Sequence, residues 1–261
     1  MQPLKIAIQL RSLRMPLKRA LATAAQLGAA AVEIDARTEL RPDELSQTGR
    51  REFLRLLENL NLRVAAIGFR TRRGYNVQEE LERRVAATKQ AMRLASQLGA
   101  TVVVNQVGQV PADAEASDWP VMLEALTDIG AFGHHIGATL AAETGSESGA
   151  DLARLIGALP DGSLGVTFNP GNLIVNGYAP GEAIAALARH VMFVHAKDGV
   201  RDRARGRGDE VPLGRGLADF PALLGALEDF GYRGYLCIER ERADDPVFEI
   251  GQAVKFLASL Y

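Results

Sequence analysis

Eight times along this chain a short apolar run gives way to a longer stretch with helical spacing, and that alternation constrains the fold more than any other feature. The runs are Lys5–Gln9, Ala31–Asp35, Val64–Phe69, Val102–Gln106, Thr139–Glu143, Gly165–Asn169, Val191–His195 and Tyr235–Glu239. Each is rich in Val, Ile, Leu or Ala, as expected of strands buried on both faces of a parallel sheet. Helical periodicity covers Leu17–Leu27, Pro42–Leu60, Gln78–Leu98, Trp119–Phe132, Leu152–Leu159, Gly181–Ala188, Phe220–Phe230 and Pro246–Leu260. Gly28, Gly99 and Gly231 follow three of these stretches, where a left-handed residue ends a helix before the next strand. Asp219 precedes Phe220-Pro221, an N-cap with proline in the first turn. The pattern predicts an α/β fold, a (β/α)8 TIM barrel, with all 261 residues in one domain. The rival, an open doubly wound sheet, needs a glycine-rich turn after its first strand, where this chain has LRSLRM.

Four of the last strands end in polar residues with lone pairs: Glu143 in ATLAAETG, Asn169 in LGVTFNPG, His195 in VMFVHAKD and Glu239 in GYLCIERE. In a parallel barrel all strand C-termini open onto one mouth, so these side chains are expected to converge there. Two carboxylates, an imidazole and a carboxamide suit a divalent metal. Burying either carboxylate without a partner costs several kcal/mol, so a metal, a cation or a substrate must compensate. The alternative is a purely structural ion pair with Lys197 or an arginine. The other histidines are expected elsewhere: His134 and His135 within a helix, His190 ahead of its strand. With the two glutamates on opposite sides of the mouth, one could remove a proton beside a carbonyl and the other return it.

Around that ring, Lys197 is two residues beyond His195 and is expected to point the same way, toward a substrate carbonyl or a glutamate. Glu33 ends the second strand and is a candidate for a substrate hydroxyl, with Asp35 competing for the position. Arg70, Arg72 and Arg73, and Arg201, Arg203, Arg205 and Arg207, make two arginine-rich loops suited to phosphate or carboxylate. Tyr75 is a candidate lid over a sugar, and Trp119 is expected to pack at a helix start.

A net charge of −2 gives no electrostatic case for nucleic acid or an anionic membrane surface. No run approaches a membrane span, and MQPLKIAIQL enters a strand without a signal-peptide pattern, so the cytoplasm is the expected compartment. The one cysteine, Cys237, lies in an apolar strand and is expected to be inert packing. A homo-oligomer is compatible with the sequence.

The segments AAETGSE, GVTFNPGNL, HVMFVHAKD and VPLGRGLADFPALLGALEDFGYRGYLCIERE resemble the xylose isomerase-like TIM-barrel superfamily of sugar phosphate isomerases and epimerases. The resemblance runs over the full length and is strongest from Glu143 onward. It implies a metal (Mn, Mg, Co or Zn) held by Glu143, Asn169, His195 and Glu239, and substrate contacts from Arg201 and from Asn172. The chain has Asn169 where that family has Asp, and Asn172 where many epimerases have His. A neutral amide in place of a carboxylate implies weaker metal binding. The resulting expectation is a sugar or sugar-phosphate isomerase or epimerase working by metal-assisted proton abstraction through Glu143 and Glu239. An inosose-type dehydratase is the nearest alternative, and a non-catalytic, metal-free sugar-binding barrel the other. The superfamily's endonucleases need several strand-end histidines, and only His195 is placed for that here.

Overall fold

The computed structural model describes residues 4–202, 204 and 206–260. Eight parallel strands close into a barrel: β1 (Lys5–Gln9), β2 (Ala31–Asp35), β3 (Arg63–Gly68), β4 (Val102–Asn105), β5 (Thr139–Glu143), β6 (Gly165–Phe168), β7 (Val191–Ala196) and β10 (Tyr235–Ile238). The seam is made by β1 and β10, in register from Lys5 opposite Tyr235 to Ile8 opposite Ile238. Packed around the strands are α1 (Leu17–Gln26), α2 (Gln47–Asn59), α3 (Leu81–Gln97), α4 (Trp119–Ile136), α5 (Gly149–Gly157), α6 (Pro170–Val175), α7 (Pro180–Leu187), α8 (Phe220–Asp229) and α9 (Pro246–Ala258).

Alternation along each strand sorts its residues into two cores. Ile8, Ile34, Ile67, Leu140, Val194 and Leu236 belong to the main cluster shared with the helices. Ala7, Ala31, Ala65, Ala66, Val104, Ala141, Phe193 and Cys237 form a second, inner cluster. Two residues on from Ala31, Ala141, Phe193 and Cys237 stand Glu33, Glu143, His195 and Glu239. The period of two therefore puts all four on the inner face, at the strand C-termini.

Local signals set the helix ends. Gly28, Gly99 and Gly231 have φ of +90°, +78° and +76°, the left-handed geometry expected of them. Asp219 accepts a hydrogen bond from the Ala222 N–H at 3.1 Å, capping α8. The expected helix Pro42–Leu60 is divided, because Ser46 accepts from the Gly49 N–H at 3.1 Å and starts α2 afresh after a 3-10 turn at Pro42–Glu44.

A short helix and a two-stranded hairpin go beyond the simple alternation. The short helix α6 begins at once after β6, capped by Asn169 with Pro170 in its first turn. After β7, the strands β8 (Asp198–Val200) and β9 (Asp209–Val211) pair antiparallel. The buried Asp198 carboxylate holds the loop beyond them: it accepts from the N–H groups of Gly199 (2.8 Å), Gly214 (3.0 Å), Gly216 (2.9 Å) and Ala218 (3.0 Å). Gly171 lets α6 approach this strand end, since a Cβ there would lie 2.6 Å from Lys197 Cγ and 2.9 Å from the Asp198 nitrogen. Among the described residues no helix is long and apolar enough to cross a membrane.

Candidate active site

The four polar strand ends meet at the barrel mouth. His195 is fully buried, with both ring nitrogens on carboxylates: Nε2 is 2.6 Å from Glu33 Oε2 and Nδ1 is 2.7 Å from Glu143 Oε1. Glu239 Oε2 stands 3.3 Å from the same Nδ1. The Phe193 ring, one step down the inner face, meets the imidazole edge to face at 5.6 Å. Burial opposes a charge on His195, but the Glu33 and Glu239 carboxylates and the bonds to Glu143 and Glu33 outweigh it and raise the pKa well above its ordinary value.

The outer carboxylate oxygens carry cations. Arg70 Nη2 is 2.7 Å from Glu239 Oε1 and 3.8 Å from Glu143 Oε2, while its Nη1 is 2.7 Å from Glu241 Oε1. Lys197, also buried, places Nζ 2.9 Å from Glu241 Oε2 and 3.6 Å from Glu239 Oε1. Burial works to raise the Glu143 pKa, yet the hydrogen bond and charge of His195, with Arg70 and Lys197, drive it well below the carboxylate range. Glu241 is likewise lowered to about 2, burial being outweighed by Lys197 and Arg70. Burial also disfavours charge on Lys197 and Arg70, and the surrounding glutamates reverse it, raising both.

Asn169 joins the ring through its nitrogen. Nδ2 donates to Glu143 Oε1 at 2.9 Å and to Glu239 Oε2 at 2.8 Å, and lies 3.5 Å from His195 Nδ1. Its oxygen faces the other way and accepts from the Asn172 N–H at 2.9 Å, closing the first turn of α6. Asn172 thus takes part through its backbone.

Among the described residues two clusters can hold a divalent metal: Glu143, His195 and Glu239, and Glu33, His195 and Cys237, with the donor atoms in each lying within 4.8 Å of one another. The first suits the chemistry better. Metal ligation by cysteine requires the thiolate, whereas burial and the nearby Glu33 and Glu239 push the Cys237 thiol well up. The spacings of 2.7 and 3.3 Å from Nδ1 to the two carboxylate oxygens also match ligands about 3 Å apart, as bonds of about 2.1 Å at right angles require. The inward Asn169 nitrogen does not fit a ligand's role, having no lone pair to offer.

Other expected site residues lie apart from this ring. Tyr75, expected as a lid, is wholly buried with its hydroxyl 2.7 Å from Thr88 Oγ1 on α3, and so presents no surface over the mouth. Arg201 is exposed beyond the end of β8, and no contact among the described residues joins it to the cluster. Arg203 and Arg205 lie outside the described residues. Arg73 pairs with Glu79. Glu33, expected to meet a substrate hydroxyl, lies beneath His195 and accepts from Gln9 Nε2 at 3.1 Å. Asp35 is occupied by its own loop, accepting from the Arg37 and Thr38 N–H groups at 2.9 and 2.8 Å. The two glutamates do not face each other across a gap, as the strand order suggested, but converge on one amide nitrogen. Glu241 and Gln106, which donates to Glu143 Oε2 at 3.1 Å, were missed in the sequence. The signals were there: Glu241 shares the parity of Glu239, and Gln106 ends an apolar run as the four singled-out residues do.

A family model described as xylose isomerase-like TIM barrel matches residues 21–260. The chain belongs to that family. Among solved structures it is similar to a xylose isomerase domain protein from Planctomyces limnophilus, 26% identical with a TM-score of 0.87, covering 99% of this chain and 98% of that one. A xylose isomerase-like barrel from Mycobacterium smegmatis in complex with magnesium is 19% identical, with a TM-score of 0.77 and coverage of 99% and 96%. A D-allulose 3-epimerase from Methylomonas sp. in complex with D-allulose is 17% identical, with a TM-score of 0.75 and coverage of 100% and 98%. No curated protein matches the sequence. At these lower identities the likeness concerns the fold. Family membership and the buried Glu/His cluster together support an enzyme of the isomerase or epimerase type.

Proposed function

We propose that this xylose isomerase-like barrel interconverts small polyhydroxy ketones, as the free sugars or their phosphates, by moving a proton on a carbon next to the carbonyl. The observation that carries the reading is the arrangement of Glu143 and Glu239. Each turns one oxygen inward to His195 and Asn169 and the other outward to Arg70. An outward carboxylate oxygen, kept ionised by its cationic neighbours, is the group a carbon acid needs as its base. His195, Arg70 and Lys197 favour the ionised form of Glu143, the form in which it can accept a proton. Arg70 stands beside both outer oxygens and Lys197 beside that of Glu239, as the groups to bind a substrate oxygen as negative charge develops on it. Glu143, His195 and Glu239 would hold a divalent metal, which would polarise the substrate carbonyl and an adjacent hydroxyl. The epimerase likeness supports a sugar as the substrate class.

The test is a panel of ketoses and ketose phosphates incubated with the protein and Mn²⁺ or Mg²⁺ in D₂O and followed by NMR. Deuterium at a carbon flanking the carbonyl, together with isomer formation, is the expected result. Loss of water from the substrate would make the protein a dehydratase instead. Binding of a sugar without exchange on any substrate would sink the catalytic reading.

A further inference from the structure

We propose that the Asn169 amide is a built-in competitor of the cation: its NH₂ closes the Glu143–His195–Glu239 cluster by hydrogen bonds, and metal enters only when that amide withdraws. A carboxamide has one accepting oxygen and one donating NH₂ group. The oxygen is engaged by the Asn172 N–H at 2.9 Å, as the cap of α6. The nitrogen must then face the ring, and its two hydrogens have two carboxylates to meet, at 2.9 and 2.8 Å. Reversing the amide would set NH₂ against the Asn172 N–H and give up all three bonds, so the partners fix the orientation.

The backbone keeps it there. The Asn169 N–H donates to Thr144 Oγ1 at 2.8 Å, and the residue is fully buried between β6 and α6. Its Nδ2 lies 2.9, 2.8 and 3.5 Å from the three atoms best placed as ligands, Glu143 Oε1, Glu239 Oε2 and His195 Nδ1. Its hydrogens point into the space among them. A cation about 2.1 Å from each of those atoms would meet the positive end of the N–H dipoles at close range. The carboxylate lone pairs spent on the amide are also those a metal needs. An aspartate at this place could cap α6 with one oxygen and ligate with the other. Asparagine cannot do both.

This inference concerns the same site as the proposed isomerase but is read from metal uptake alone, so sugar turnover and its failure leave it untouched. The decisive variant is Asn169→Ser, since serine is an equally good helix cap and removes the NH₂. Mn²⁺ titration, read as loss of the free-ion signal in electron paramagnetic resonance, should show at least tenfold tighter binding than in the wild-type protein. Asn169→Asp should bind more tightly still. Were the amide oxygen a ligand, Asn169→Ser would bind Mn²⁺ more weakly than wild type. Weaker or unchanged binding overturns the proposal. Asn169→Gly, also tolerated at a helix cap, gives the same reading should the serine variant fail to fold.

Discussion

A carboxylate has two oxygens, and at Glu143 and Glu239 the two have different partners. Replacing either residue by glutamine keeps its shape but removes a charge that Arg70 and His195 both use. For the proposed reaction, Glu143→Gln and Glu239→Gln should each lower solvent hydrogen exchange at the reacting carbon by about 10²–10⁴-fold, the usual cost of a lost base. Circular dichroism should show the barrel intact, and unchanged exchange in both variants would exclude a two-glutamate mechanism. The ring was legible in the sequence because a polar residue ending an apolar run is conspicuous. The direction in which Asn169 points was not, because it depends on the Asn172 N–H and the first turn of a helix that periodicity did not reveal. Tyr75 misled for a related reason: an aromatic residue in an arginine-rich loop reads as exposed, and only the third dimension brings Thr88 to its hydroxyl.

At the scale of elements, Asp198 organises the segment from β8 to α8 by accepting four backbone N–H groups. Asparagine has a single accepting oxygen and would turn an NH₂ toward two of those donors. Asp198→Asn should therefore destabilise the protein by about 3 kcal/mol, within the cost of charged hydrogen bonds lost in a buried place, as read from urea unfolding. This device was hidden in the sequence, since three of its donors lie 16–20 residues away along the chain. A second element-level prediction concerns Glu147, in the loop between β5 and α5. Burial raises its pKa to about 7, the Val110 N–H pulling it back somewhat, and its Oε2 has no hydrogen-bond partner. A carboxyl whose pKa is higher folded than unfolded stabilises the fold below the ordinary carboxylate range and loses that contribution as pH rises through about 7. Glu39, also raised to about 7 by burial, acts with the same sign. Urea midpoints should fall between pH 5 and pH 8, and Glu147→Gln should flatten that fall and gain on the order of 2 kcal/mol at pH 8. A midpoint that rises over this window in the wild-type protein would exclude the assignment.

On the scale of the whole molecule, the alternation of apolar runs and helical stretches was enough to predict a closed barrel, and three strands keep the expected limits: Lys5–Gln9, Ala31–Asp35 and Thr139–Glu143. Three others end one residue early, where Gln106, Asn169 or Glu239 leaves the ladder for the site, while the third strand is displaced by one residue to Arg63–Gly68 and the seventh runs one further, to Ala196. Closure itself has a consequence in time. β1 finds one of its two neighbours in β2, but the other, β10, is made more than two hundred residues later. During synthesis on a ribosome, the first strand therefore emerges with one row of peptide groups unpaired and keeps it so until Ile238 clears the exit tunnel. Such an edge is a template for foreign strands. The growing chain must be shielded, or must delay its collapse, while the more than two hundred residues between these strands are translated, and a message cut short before Tyr235 leaves that edge open for good.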